Sequence, residues 1–176
     1  MYQNLAEIYA ALEQTRGELL TKIESLTPAQ QNARENESGW SVGEIVEHLA
    51  LVEGGALKVA QKLLRRAEEN GAPSDGKITL SPDFAGKLAG LRDRKVVAPE
   101  MVHPQGEQSL TDSLAKLKEI RRALGELQAR LEKIDAAAPT FPHPLFGEFN
   151  IYQWLIIVGL HERRHLSQIK RILESN

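Results

Sequence analysis

Apolar side chains recur at steps of three, four or seven residues along four long stretches of this 176-residue chain. This spacing places them on one face of an α-helix, whereas a half-buried strand alternates apolar and polar residues. We therefore predict four long helices, at residues 1–26, at 42–70, from Ser109 or Thr111 to about 134, and from Asn150 to about 173. Because no convincing alternating strand and no internal repeat is present, the predicted fold class is all-α.

The residues between these stretches predict how the helices are connected. Pro28 ends the first helix, and Ser41 and Glu44 form a capping box at the start of the second. Residues 71–108 contain many glycines and prolines and predict a long structured crossover, which includes a short helix within 83–94. A proline-rich stretch before the last helix predicts a rigid loop. We expect a single domain that spans the chain, a four-helix bundle with a long crossover between the second and third helices.

The composition disfavours several classes of partner and chemistry. With 22 Lys and Arg against 24 Asp and Glu, the net charge is −2, which gives no cationic field for nucleic acid. The chain contains no Cys, so any thiol that it uses has to come from another molecule. No secretion signal is visible, and the most apolar stretch, residues 151–160, is shorter than the roughly 20 residues that cross a bilayer. We expect a cytoplasmic protein that binds neither nucleic acid nor membrane.

The last predicted helix is apolar almost all round between Ile151 and Leu160. One face of this helix can pack on the bundle, and the other apolar face has to be buried against a different part of the chain or another molecule. A homodimer interface would supply that cover, and the crossover segment is the alternative.

Two of the five histidines, His161 and His165, are four residues apart in the last predicted helix. They therefore project from one helical face about one turn apart, close enough to hold one divalent ion through neutral imidazoles. His48 lies at the edge of the apolar face of the second helix, which a bundle can bring against the last helix. The three are candidate metal ligands that leave a coordination position for water, hydroxide or a substrate atom. Core histidines satisfied by hydrogen bonds are the alternative.

The same segment also reads H-E-x-x-H, the signature of zinc peptidases in which the glutamate is the general base. Only eleven residues follow His165, no HxxGxxH-type element with the usual third ligand is present, and no sheet pattern precedes the motif. A peptidase is therefore disfavoured, and Glu162 is predicted to be a solvated surface carboxylate.

Three other polar residues are assigned structural roles. Gln168 lies one turn beyond His165 and could orient a ligand, although helix packing is the favoured role. His103 and His143 each stand beside a proline in a predicted loop, where packing or surface exposure is favoured over a functional role.

Several segments resemble the DinB-like (YfiT-like) superfamily. They are residues 40–49, Trp-Ser-Val-Gly-Glu-Ile-Val-Glu-His-Leu, and residues 161–169, which read His-x-x-x-His-x-x-Gln-Ile. The loop at 143–147 and the crossover at 98–106 are similar to that family as well. The resemblance covers most of residues 40–171, whereas the first helix matches only in being amphipathic.

The resemblance implies a four-helix bundle, commonly dimeric, in which one histidine of the second helix and two of the last bind a divalent metal. In this sequence these are His48, His161 and His165. Family members of known activity are metal-dependent transferases that use low-molecular-weight thiols such as bacillithiol, mycothiol or glutathione. Others are isomerases or hydrolase-like proteins.

The expected function is accordingly that of a divalent-metal-dependent thiol S-transferase, with zinc or nickel, or else iron or manganese, as the ion. Its partners would be an external thiol and a small-molecule electrophile. A hydrolase that uses water as the nucleophile is one alternative, and a non-catalytic metal-binding or structural dimer is another.

Overall fold

The computed structural model describes residues 2–89 and 98–175. Four long helices form the bundle: α1 (Leu5–Ile23), α3 (Val42–Asn70), α5 (Leu110–Leu131) and α6 (Ile151–Ser175). Two short helices, α2 (Pro28–Asn32) and α4 (Phe84–Ala89), and a 3-10 turn (Glu100–Val102) lie in the connections. Two strands, β1 (Thr140–His143) and β2 (Gly147–Asn150), precede α6. The predicted four-helix bundle is confirmed.

The helix starts follow the predicted caps. The Ser41 hydroxyl accepts from the amide of Glu44, whose carboxylate accepts from the Ser41 amide, so α3 begins with a complete capping box. Asn150 and Gln153 make the same reciprocal pair at the start of α6. Ser109, rather than Thr111, caps α5. These local hydrogen bonds fix where the chain enters each helix.

Four predicted elements differ from the structure. The third long helix ends at Leu131 instead of about residue 134. The first helix ends at Ile23 instead of residue 26, because Thr27 caps the separate five-residue helix α2. The short helix predicted within residues 83–94 covers Phe84–Ala89, and residues 90–97 lie outside the described part. The rigid loop before α6 is in fact an antiparallel hairpin, in which Thr140 pairs with Asn150 and His143 with Gly147. Its prolines did not prevent pairing, because a two-stranded hairpin has only edge strands.

The bundle core consists of two apolar clusters at different heights. The first contains Leu12, Ala56, Leu124 and Val158, one from each long helix. The second contains Leu19, Leu49, Leu117 and Leu166, again one from each helix. On α1, α3 and α6 at least one turn separates the two clusters, and polar side chains lie at that level, whereas on α5 only two residues separate Leu117 from Ile120.

The apolar start of α6 is covered by the chain itself. The side-chain amide of Asn150 donates to the carbonyl of Thr79, and the side-chain amide of Gln153 donates to the hydroxyl of Ser81. The connection after α3 therefore lies across the start of α6. Side chains such as Trp154 and Leu155 are buried in the first cluster. The homodimer, argued from an uncovered face, therefore stays a prediction without that support. Among the described helices none is long and apolar enough to span a membrane.

Candidate metal centre

Three histidines from two helices meet inside the bundle. His48 comes from α3, and His161 and His165 come from successive turns of α6. One ring nitrogen from each lies within 4.8 Å of the others, and the Nε2 atoms of His48 and His161 are 3.2 Å apart. His48 is 3% exposed, and the other two are partly buried. The structure thus brings together the three residues that the sequence singled out.

Hydrogen bonds orient two of the three rings. The Nδ1–H of His48 donates to the backbone carbonyl of Val102 at 2.7 Å. The Nδ1–H of His165 donates to Oε1 of Gln168 at 2.9 Å. A neutral imidazole has one N–H and one lone pair, so both rings keep their Nε2 lone pairs free for the cluster. Hydrogen-bond acceptors of this kind fix the tautomer of metal-binding histidines.

The third ring is held differently. Nδ1 of His161 is buried and has no hydrogen-bond partner among the described residues. Its Nε2 faces the Nε2 of His48, whose lone pair is already directed to the cluster. Buried ring nitrogens normally have a partner, so this ring is the least satisfied member of the group.

Burial lowers the pKa of all three imidazoles. The pKa of His161 falls well below its ordinary value because of burial, and the neighbouring His165 and His48 lower it further. Burial lowers the pKa of His165 to about 4, and burial also lowers that of His48. All three rings are therefore neutral near pH 7, which is the form that binds a metal.

The donor set fits a divalent transition metal. Three neutral nitrogen donors match the preferences of zinc and of nickel, and three protein ligands are what catalytic zinc sites use. Neutral ligands would leave the charge of the ion uncompensated, and the coordination would be incomplete without an exogenous ligand. The arrangement suits a site that binds a further molecule.

The remaining two histidines lie outside this cluster. The centroid of the His103 ring lies 5.7 Å from that of Trp40, which in turn lies 4.8 Å from the centroid of the His48 ring. The Nε2–H of His103 donates to the carbonyl of Ala98. The His143 ring packs against Trp154 at the end of β1. Burial lowers the pKa of His143 to about 4. Both have the packing role that was favoured for them.

The prediction for Glu162 is wrong. Its carboxylate is fully buried and accepts from the guanidinium groups of Arg16 and Arg121. Both oxygens are occupied by cations from α1 and α5, so the carboxylate is not free to act as the general base of a peptidase. The residues three and four positions after Glu162, His165 and Leu166, offer it no cation, whereas its partners lie on α1 and α5.

Four buried charged residues, one per long helix, form what we call the charge layer: Arg16, Glu53, Arg121 and Glu162. Arg16 makes a bidentate contact with Glu53 at 2.9 and 2.7 Å and also donates to the carbonyl of Leu117. The layer balances two positive charges with two negative ones. It lies at the level between the two apolar clusters, and sequence reasoning missed it. The available signal was an interruption of the apolar repeat, such as the step of seven from Leu12 to Leu19.

Gln168 also has a different role from the favoured one. Its Oε1 accepts from His165 and so orients a member of the histidine cluster. A glutamine three residues after a candidate ligand lies on the same helical face, and this spacing was the signal for it.

Together the fold and the site define a class of protein: a four-helix bundle with three neutral histidines converging in its interior. The chain belongs to the DinB superfamily, which matches residues 11–169. This confirms the family that the motifs around His48 and His165 resemble.

Individual relatives agree with this assignment. The chain is 28% identical over 162 residues to the uncharacterized protein YuaE of Bacillus subtilis (strain 168), covering 92% of this chain and 94% of YuaE. Among solved structures it is similar to TT2238, a four-helix bundle protein, with 28% identity, a TM-score of 0.64, and 94% and 98% of the two chains covered. It is also similar in fold to YfiT from Bacillus subtilis, with 17% identity, a TM-score of 0.62, and 97% and 86% covered. YfiT is described as a probable metal-dependent hydrolase with an unusual four-helix bundle topology.

Proposed function

We propose that His48, His161 and His165 bind one divalent metal ion and that the protein is a metal-dependent enzyme acting on small molecules. The observation that carries this proposal is the convergence of three neutral imidazoles, two of them oriented by hydrogen bonds that leave Nε2 free. Without a metal, Nε2–H of His161 donates to Nε2 of His48, which leaves the buried Nδ1 of His161 without a partner among the described residues. A metal ion can accept a lone pair from each of the three rings.

The residues around the cluster have distinct tasks in this proposal. Val102 and Gln168 hold the His48 and His165 rings in the tautomer needed for binding. Trp40 packs against the His48 ring and shields it from water. When bound, the ion would supply Lewis-acid chemistry that lowers the pKa of a thiol or a water molecule.

We favour thiol S-transfer as the reaction class. In that reaction the thiol loses its proton and its sulfur forms a bond to the electrophilic carbon. Either a halide leaves with the bonding electrons, or an opened epoxide oxygen takes up a proton. The chain has no Cys of its own, so the thiol is a separate substrate, and thiol transfer is the activity that the family resemblance implies.

Metal-dependent hydrolysis is the second candidate. The structural neighbour YfiT is described as a probable metal-dependent hydrolase, and it shares the bundle fold. Water in place of the thiol would give this reaction on the same three ligands. The two candidates differ in whether a thiol is consumed.

The metal site is tested first by measuring bound metal with inductively coupled plasma mass spectrometry on tag-free protein. We expect near one equivalent of zinc or nickel in the wild type and none in His161→Ala. His143→Ala is the matched control, because His143 is a half-buried histidine outside the cluster, and it should keep the metal. A wild type that stays empty after reconstitution with both metals would refute the site.

The reaction class is tested on metal-loaded protein. Loss of glutathione, bacillithiol or mycothiol in the presence of a chloronitrobenzene or an epoxide, absent in His161→Ala, is the expected result. Hydrolysis of an activated ester or amide without thiol consumption would favour the hydrolase. Bound metal with neither reaction would favour a non-catalytic metal-binding protein.

A further inference from the structure

Residues 98–106, which we call the strap, cross the amino-terminal half of α3 beside the histidine cluster. The strap contains the 3-10 turn Glu100–Val102. Its own hydrogen bonds close it into a compact loop: the amide of Val102 donates to the carbonyl of Pro99, and Nε2 of His103 donates to the carbonyl of Ala98. The strap therefore acts as a unit whose position depends on how it is attached to α3.

Glu47 of α3 binds the strap through two hydrogen bonds to its backbone. Its Oε1 accepts from the amide of Gln105 at 3.1 Å, and its Oε2 accepts from the amide of Gly106 at 3.0 Å. Glu47 is only 5% exposed although its side chain ends in a carboxylate. A buried carboxylate is retained when strong hydrogen bonds stabilise it, and here two successive backbone amides supply them. Gly106 has φ +70°, a left-handed conformation that favours glycine at this position.

The next residue along α3 makes the second attachment. His48 donates from Nδ1 to the carbonyl of Val102, three residues before Gln105. Two consecutive residues of α3 thus bind the same strap. Glu47 accepts from two backbone amides of the strap, and His48 donates to one of its carbonyls. Displacement of the strap would move the only hydrogen-bond acceptor that the structure gives to Nδ1 of His48 among the described residues.

We propose that Glu47 is a positioning residue for the metal ligand His48. It fixes the strap, the strap fixes the Val102 carbonyl, and that carbonyl holds the His48 ring in the tautomer with Nε2 free. The metal-binding consequence rests on the proposed function, whereas the orientation of His48 exists in the metal-free protein. The residue would act on metal affinity without touching the ion.

The test compares Glu47→Ala, Glu47→Gln and the control Glu44→Gln. Alanine removes both acceptor oxygens, and glutamine keeps one. Glu44 is on the same helix one turn earlier, but it accepts from the Ser41 amide and pairs with Arg34 instead of holding the strap amides. The control therefore loses a carboxylate and some helix stability while the strap keeps its attachments.

The first measurement is the imidazole ¹⁵N spectrum of metal-free protein at neutral pH, with the His48 signals assigned from His48→Gln. We expect the wild type and Glu44→Gln to show His48 with its proton on Nδ1. In Glu47→Ala we expect the two ring nitrogens to move towards averaged shifts, and in Glu47→Gln to a smaller extent. Hydrogen exchange at the amides of Gln105 and Gly106 should accelerate in the same order.

The second measurement is the affinity for Co²⁺, followed by its visible absorption spectrum. Loss of a hydrogen bond that orients a metal ligand typically weakens metal binding about 10- to 100-fold, so about 10-fold is expected for Glu47→Ala and less for Glu47→Gln. The spectrum of the alanine variant should also change, which a loss of global stability would not produce. Unchanged His48 signals and an unchanged Co²⁺ spectrum in both Glu47 variants would overturn the proposal.

The two proposals fail differently. If the wild type binds no Co²⁺, zinc or nickel, the proposed function fails, and the metal-free ¹⁵N spectrum still decides whether Glu47 orients His48. If Glu47→Ala does not fold, Glu47→Gln decides, since it retains one acceptor oxygen for the strap. Glu47→Gln with wild-type His48 signals would then overturn the role.

Discussion

The bundle contains two buried polar groups that differ in how they are satisfied. The charge layer joins cations and carboxylates from all four long helices, and two of its members, Glu53 and Glu162, are fully buried. The histidine cluster involves only α3 and α6, and its members are neutral because burial lowers their pKa. The layer compensates its own charges, whereas the cluster is uncharged and has one hydrogen bond between its rings, from Nε2 of His161 to Nε2 of His48.

This difference is the reason why we assign a structural role to the charge layer and propose metal binding for the histidine cluster. A closed set of opposite charges has no capacity left for a ligand, and removing one member leaves the others uncompensated. A set of converging lone pairs gains energy when a cation enters. Burial of polar residues alone would not have distinguished the two, since both lie inside the bundle. The distinguishing property is the charge of the members: the layer pairs cations with carboxylates, whereas the cluster presents neutral imidazole nitrogens. Hydrogen bonding does not separate them, because buried nitrogens without a partner among the described residues occur in both, on Arg121 and on His161.

The largest expected effect is the loss of stability when the charge layer is broken. Arg16→Met removes the cation that contacts both Glu53 and Glu162, and breaking a buried ion pair typically costs about 3–5 kcal/mol. The free energy of unfolding of metal-free protein, from urea denaturation, measures it. The control Arg122→Met removes an arginine that pairs with Glu126 on the surface, and it should cost at most about 1 kcal/mol. Equal losses in the two variants would show that the layer is not a closed charge group.

Replacing a histidine of the cluster should have little effect on the stability of the metal-free protein and should remove the stabilisation by metal. His161→Leu removes a ring whose buried Nδ1 has no partner among the described residues, so we expect metal-free stability to change by less than about 1 kcal/mol. The stabilisation by metal should disappear, which for the wild type is about 2.7 kcal/mol at a free metal concentration of 100 times Kd. Thermal unfolding with and without zinc or nickel measures both quantities. A variant that still gains stability from metal would contradict the assignment of His161 as a ligand.

These contrasts also show what sequence reasoning can reach. Periodicity and caps predicted the long helices because both are local properties, and Ser41 with Glu44 marked the start of α3 to the residue. The histidine cluster was predictable because its members lie on apolar helical faces. The partners of Glu162 were not, because Arg16 and Arg121 come from helices whose relative height no local pattern determines.

A smaller effect is expected from His143, which is half-buried and neutral and belongs to neither group. Burial lowers its pKa from 6.5 to about 4, so the unfolded chain takes up a proton before the native state does. Stability linked to this residue is therefore complete above pH 6.5 and is lost as the pH falls towards 4. His143→Phe should reduce the acid loss of stability relative to the wild type, measured by urea denaturation of metal-free protein between pH 7 and 4. Identical pH profiles would show that the ring is solvated in solution.

The smallest effect is expected from Gln168 at the edge of the histidine cluster. This residue contacts the proposed metal ligand His165 and is not itself proposed as a ligand. Its Oε1 holds the His165 proton on Nδ1, so Gln168→Leu should weaken metal binding about 10-fold without abolishing it. Ser167→Ala is the control, because that hydroxyl donates to the carbonyl of Arg163 on the exposed face of the same helix. Isothermal titration with zinc measures both. A full loss of binding in Gln168→Leu would place Gln168 among the ligands, and wild-type affinity would return it to the packing role first favoured from the sequence.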